Sequence, residues 1–339
     1  MFNFKVHPVL QVAVSLAACM PVAANAQKML ASTWMPQTHE ISRTMMDWAK
    51  EVERATDGRV TFQLLPKPAS TPQGSFDAVR NGVADLSFTV HGYTPGRFVL
   101  TQVAELPLLG DSAEAVSVAY QKIYDKHFAQ LGEHQGVKVL AVFTHGPGIV
   151  HNSKRAVNSI EDLQGLKFRV GGGMVNEIAK SVGMNVTLKP APDTFELLST
   201  GVMDGSLLPA ESIDAYRLDK LIKYSTTFPG GLYNTSFVMM MNSKQFAALS
   251  EKDQKAIEKL SGVELARKLG RAWDRADRKG MAYMQAGGVS VVKASPQFVN
   301  QIQSKVASLE TRWVDASKAK GVKNPAAVLK EFRQLASSQ

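Results

Sequence analysis

The chain has 339 residues, 45% hydrophobic and 20% charged, enough for two domains with a core each. Its 39 basic and 30 acidic residues leave a net +9, spread rather than gathered into the Lys/Arg stripe of a nucleic-acid binder, and such a mild positive field suits small anions. The single cysteine, Cys19, excludes a disulfide framework and a cysteine-built metal site.

Residues 1–26 carry Lys5 in a polar start, an apolar stretch over 9–18, and Ala24-Asn25-Ala26 as a small-x-small site before Gln27. This is the pattern of a cleaved secretory signal. Leu16-Ala17-Ala18-Cys19 also resembles a lipoprotein box, which would make Cys19 a lipid-anchored N-terminus. Cleavage after Ala26 is preferred, because Lys28 and the strand-like Met29-Leu30-Ala31 follow it directly. No later run offers about 18 consecutive apolar residues. The mature protein is therefore expected free in the periplasm.

Ile41, Met45, Trp48, Val52 and Ala55 follow a helical spacing that stops at Gly58. Val60, Phe62 and Leu64 alternate as a strand, a helical turn covers 76–80, and Leu86, Phe88 and Val90 form a second strand. The order is that of α/β crossover units. Residues 113–131 read as a helix and 137–142 as a buried strand running into His145-Gly146-Pro147-Gly148, where the chain is expected to change domains.

Beyond it, Ser159 and Asp162 start a helical turn, and Leu163-Gln164-Gly165-Leu166-Lys167-Phe168-Arg169-Val170 leads into a strand. Arg169 sits near the end of that strand. Its planar fork matches two carboxylate oxygens and its charge is fixed at any cellular pH. A helix ending at Gly183, a strand at 186–188 and a helix at 194–199 repeat the theme. Gly201-Val202-Met203-Asp204-Gly205 reads as a turn in which glycine supplies a positive φ. Residues 237–242 form an apolar strand, and no proline interrupts 250–285, giving a 35-residue helix of about 50 Å, long enough to run along two domains. Residues 289–291 form a late strand, Ser295-Pro296 caps a further helix, and the Lys/Ala-rich tail from Ser317 reads as a solvated helical end.

Enzyme signatures fail on inspection. Gly146-x-Gly148 lacks its third glycine, no Gly-x-Ser-x-Gly elbow exists, and no histidine pair has zinc spacing. His145-Gly146-Pro147-Gly148 resembles an oxyanion-hole sequence, but no nucleophile accompanies it, so no catalysis and no cofactor are expected. Trp34, His91, Tyr93 and Tyr233 follow strands or sit in Gly/Pro-rich loops, where α/β sheets place ligand contacts.

The signal, Trp34-Met35-Pro36, Asn81-Gly82-Val83-Ala84-Asp85, Gly96-Arg97-Phe98, the Arg169 run, Gly201-Val202-Met203-Asp204-Gly205 and Met241-Asn242 before Leu249-Ser250 together resemble the substrate-binding proteins of tripartite ATP-independent periplasmic (TRAP) transporters, the DctP family. The resemblance spans nearly the whole mature chain. It implies two α/β domains of the periplasmic-binding-protein kind around a ligand cleft, chain crossings between them, a long bridging helix, and Arg169 as the clamp on the ligand carboxylate. Domain I is expected over 27–147 plus about 236–274, and domain II over 148–235 plus about 275–339. Polar groups of the sialic-acid-binding members fall here near Trp34, Gln73, Val90 or His91, Ile149 and Leu208; their second arginine corresponds to Ile149 and their cleft asparagine to Leu208.

The expected ligand contacts are thus Arg169, Trp34, Gln73, His91, Tyr93, His145, Ile149, Leu208, Tyr233 and Asn234, with no metal. Loss of two polar positions argues against sialic acid and dicarboxylates and for a monocarboxylate with an apolar or aromatic body. The expected partners are that small acid and the membrane permease subunits of a TRAP transporter, with no nucleic acid and a monomeric state. A periplasmic sensor module of the same architecture is the alternative, and a secreted hydrolase would need a nucleophile–base pair that is not found.

Overall fold

The computed structural model describes residues 1–3 and 27–337. The rest of the export signal, with Cys19 and the cleavage point at Ala26, lies outside the described residues. The chain first lays down β1 (Gln27–Ala31), α1 (Glu40–Ala55), β2 (Val60–Leu64), α2 (Ser75–Arg80), β3 (Leu86–Val90), α3 (Ala113–Ile123) and β4 (Val137–Thr144). It continues with β5 (Ile149–Asn152), β6 (Lys167–Val170), α4 (Met174–Ser181), β7 (Asn185–Leu188), α5 (Thr194–Ser199), β8 (Gly205–Leu208), α6 (Glu211–Ala215) and β9 (Tyr224–Thr227). It ends with β10 (Ser236–Asn242), α7 (Ser243–Ala247), α8 (Glu251–Lys259), α9 (Val263–Ala286), β11 (Ser290–Lys293), α10 (Pro296–Ala319) and α11 (Pro325–Ser337).

The strands form two mixed sheets, ordered β2-β1-β3-β10-β4 and β11-β9-β5-β8-β6-β7. In each sheet one strand runs antiparallel to both neighbours: β10 between β3 and β4, and β5 between β9 and β8. Each of these is the first strand after the chain has passed from the other sheet. Covered on both faces, β3 and β10 are buried at every residue, which is why they read as near-continuous apolar runs. Helix α1 turns Ile41, Met45, Trp48, Ala49 and Val52 onto the first sheet, and the His39 ring accepts the Ile41 amide at its start.

Four local expectations are corrected. The 35-residue helix is two helices, α8 and α9, broken at 260–262: Gly262 adopts φ +65° and its N–H donates to the Leu140 carbonyl at 2.7 Å, while Trp48 Nε1 holds the Leu260 carbonyl at 3.1 Å. A glycine tethered to β4 ends the first helix where no proline does. The tail is not solvated, because Val328, Leu329, Phe332 and Ala336 share the buried face of α11, which packs on α3. Finally, Gly205 starts a strand without a positive φ; a side chain there would meet the His151 carbonyl at 2.2 Å. Gly201, four residues earlier, supplies the positive φ of the turn. The 113–131 helix also loosens, passing through a π turn at Tyr124–Phe128 and a 3-10 turn at Ala129–Leu131.

Helix α9, about 36 Å long, touches α1, α3 and β4 on one side and α6 and β11 on the other. Gly270 lets the Ala113–Glu114 backbone approach, and Gly280 does the same for Ala210–Glu211. Asp274 accepts the Ala113 and Glu114 amides at the start of α3, and Asp277 accepts the Glu211 amide at the start of α6. The long helix thus fixes one helix from each half with the same pair of devices.

Candidate ligand cleft

Between the two sheets lies a narrow cavity of about 40 Å3. Trp34, Tyr93, His145, Arg169, Leu208 and Tyr233, six of the expected contacts, line it together. Arg169 comes from β6 and is 2% exposed. Its Nε donates to the Lys189 carbonyl at 2.8 Å and Nη1 leans on the Leu207 carbonyl at 3.4 Å. Among the described residues it forms no ion pair. A buried guanidinium without an anion is costly. Gly171, with no side chain, leaves the space beside Nη2 open.

The walls are aromatic and apolar. Trp34 is pinned by Nε1 donating to the Phe88 carbonyl at 3.1 Å and meets Tyr93 edge-on at 5.6 Å. Phe237 and Trp273 pack at 5.5 Å, and Val90, Val175 and Leu207 complete the apolar surface. Burial pushes the Tyr93 hydroxyl up, so it stays protonated; it accepts the Ala191 amide at 2.9 Å and keeps its own proton for another partner. Burial likewise raises Tyr233 and Tyr216, while it holds His145 down to about 4. The positive charge of Arg169 is felt at all four groups.

Three hydrogen bonds join the halves in and around the cavity. His39 Nδ1 accepts the Ile41 amide, so its Nε2 carries the proton and donates to Glu211 Oε2 at 2.9 Å. Tyr93 receives Ala191, and Glu105 Oε2 accepts the Met174 amide at 2.8 Å at the first residue of α4. Each pairs a group from the first-sheet half with one from the second.

The other expected contacts lie elsewhere. Gln73 is exposed in the Pro72–Gly74 turn. His91 is buried away from the cavity, bonded to Ser236 Oγ at 3.0 Å and His134 Nε2 at 2.8 Å. Ile149 packs with Ala210 and Ile213 and faces a separate surface cleft. Asn234 supports the site from behind, its Nδ2 donating to the carbonyls of His145 and Gly146. Sequence reasoning missed Glu211, Ser212, Tyr216, Phe237 and Trp273 on the cavity wall. Pro209 followed by Ala210-Glu211-Ser212 was the available sign of a strand-to-helix turn at the cleft. Among the described residues no cluster of three metal-ligating side chains occurs, and no helix is long and apolar enough to cross a membrane.

The family model for bacterial extracellular solute-binding proteins, family 7 (DctP), matches residues 30–315. The outer membrane transporter protein TsaT of Comamonas testosteroni is 31% identical over 314 residues, covering 91% of this chain and 92% of that one. The crystal structure of a TRAP periplasmic solute-binding protein from Bordetella bronchiseptica, with bound (R)- and (S)-mandelate, is 43% identical with a TM-score of 0.89, covering 92% of this chain and 99% of that chain. A marine metagenome TRAP solute-binding protein specific for aromatic acid ligands, in complex with 3-hydroxybenzoate, is 29% identical with a TM-score of 0.85, covering 92% and 98%.

Proposed function

This chain belongs to family 7 of the bacterial extracellular solute-binding proteins, the DctP family of TRAP systems, and from that premise we propose that it captures an aromatic monocarboxylate for uptake, with Arg169 as the carboxylate clamp. The observation that carries the reading is the buried, anion-free guanidinium of Arg169 facing an aromatic cavity. A carboxylate there replaces a buried lone cation with a charge-assisted pair. A phenyl-sized body removing about 150 Å2 of apolar surface from water adds about 4 kcal/mol. The ligands named for the two solved relatives, mandelate and 3-hydroxybenzoate, are acids of this class.

A second carboxylate would lie against Leu207, Leu208, Val90 or Val175 without a cation, and several kcal/mol of desolvation would go uncompensated. Leu208, rather than Ile149, is the substituted position that faces the ligand. The protein would work outside the cytoplasm, cleaved after Ala26, and hand its cargo in the closed form to TRAP permease subunits in the membrane.

A thermal-shift screen tests this. At a hundredfold excess over Kd a ligand bound only by the native state adds about 2.7 kcal/mol. Benzoate, mandelate and 3-hydroxybenzoate should raise the melting temperature, whereas succinate, malate, sialic acid and the amide of each aromatic acid should not. Equal shifts from benzoate and benzamide would overturn carboxylate capture.

A further inference from the structure

We infer that the Nε2 atom of His145 accepts a hydrogen bond from a hydroxyl on the ligand, making the cleft selective for hydroxylated aromatic acids over their oxo and unsubstituted counterparts. This rests on the carboxylate reading above and goes on to the chemistry of the ligand's body. His145 is 3% exposed and sits where the chain passes from β4 to β5. Its backbone is held at both ends: the N–H donates to the Thr235 carbonyl at 3.3 Å and the carbonyl receives Asn234 Nδ2 at 2.9 Å. The ring is wedged edge-on against Tyr233 at 5.4 Å and Trp273 at 5.8 Å.

Its tautomer follows from its partner. Nδ1 lies 2.5 Å from the Gly146 carbonyl oxygen, which can only accept, so Nδ1 carries the proton. Nε2 is left with a bare lone pair and no partner among the described residues. Burial, helped a little by the field of Arg169, keeps the ring neutral at ordinary pH, against the opposing pull of the Gly146 hydrogen bond and Glu211.

The other polar side chains of the wall are donors, hydroxyls of Ser212, Tyr216, Tyr233 and Thr235 that donate as well as accept, or carboxylate oxygens already engaged. Trp273 Nε1 is a buried donor without a partner, and Tyr93 has its hydroxyl proton free. The two Glu211 oxygens are engaged, one by His39 and one by Ser212 Oγ. Arg169 and Tyr93 thus present donors to a carboxylate, and the side-chain atom of the wall that can only accept and has no partner among the described residues is His145 Nε2. A ligand hydroxyl satisfies it; an oxo oxygen opposes lone pair to lone pair; an unsubstituted carbon leaves a buried acceptor unpaired.

The test is calorimetry on the full mature protein with two matched sets: mandelate against benzoylformate and phenylacetate, and 3-hydroxybenzoate against benzoate. We expect the hydroxy acid to bind about tenfold or more tightly than its counterparts in at least one set. In His145→Phe, which keeps an aromatic ring but no acceptor, that ratio should collapse to within about twofold. His145→Leu, which removes the acceptor without a ring, should also lose the discrimination if the Phe variant fails to fold. Equal affinity within both sets, or a hydroxyl preference unchanged in the folded variants, overturns the inference while leaving the carboxylate reading standing. Failure of every acid in both sets overturns the carboxylate reading and this inference with it.

Discussion

Gly280→Ala should loosen the grip of α9 on α6 and, through it, the wall of the cleft. A methyl group at 280 would sit 2.2 Å from the Ala210 carbonyl oxygen and 2.5 Å from the Ala210 carbonyl carbon and Glu211 Cα. All three are backbone atoms, so no rotamer change relieves the clash, and the two helices must part by about 1 Å to reach ordinary contact. Such overpacking costs about 3 kcal/mol, and alanine's better helix propensity returns about 1 kcal/mol, leaving a net loss of about 2 kcal/mol. At roughly 2–4 °C per kcal/mol the melting temperature should fall by about 4–8 °C. Because Glu211 and Ser212 on α6 line the cavity, affinity for an aromatic acid should fall with it. Differential scanning calorimetry with and without ligand reads both. A variant melting within 1 °C of the parent and binding within twofold would refute the close packing of α6 on α9 as the support of the site.

His39→Ala should remove both the N-cap of α1 and the buried partner of Glu211, costing about 1–3 kcal/mol, and should weaken ligand binding more than a surface change of equal stability cost, since that bond joins the two halves; urea unfolding and calorimetry separate the two effects. Burial lowers His134 to about 3 and His145 and His151 to about 4, so the unfolded chain takes up protons that the folded chain refuses. Stability should therefore fall as pH drops from about 6.5 toward 4. In His151→Asn the slope over that range should flatten by about 1.4 kcal/mol per pH unit, and an unchanged slope would exclude His151 from the effect. Intact-mass measurement of the exported protein should give a chain starting at Gln27, and a lipid-modified Cys19 would contradict this.

Much of the fold was legible where local pattern and burial agree. The fully buried β3 and β10, the amphipathic α1 and the Arg169 strand announced themselves because their apolar spacing matches their period. The four-residue strands β5 and β8 did not, since His151, Asn152, Gly205 and Ser206 are not strand formers and only pairing across the sheet makes them so. The break before α9 depends on a carbonyl of β4 that lies far away in sequence. The Lys/Ala composition of the tail concealed the spacing of Val328, Leu329, Phe332 and Ala336.

At the site, Arg169 and the loop aromatics could be read because they sit near a strand end or follow strands, as ligand contacts do in α/β sheets. Glu211, Ser212 and Trp273 could not, because α6 and α9 reach the cleft only through the docking of one helix on the other. Ile149 and Gln73 mark the limit of carrying site positions over by resemblance: each was expected at the cleft but lies outside the cavity.

The most direct test of carboxylate capture is calorimetric titration of the folded Arg169→Ala protein with an aromatic acid bound by the parent. Loss of the guanidinium leaves the buried carboxylate without its partner at a cost of about 2–5 kcal/mol, a fall in affinity of roughly thirtyfold to several thousandfold. Arg169→Lys should recover only part of it, because a point charge does not replace the planar fork. Affinity within threefold of the parent, in an Arg169→Ala protein shown to be folded, would contradict the assignment of Arg169 as the clamp.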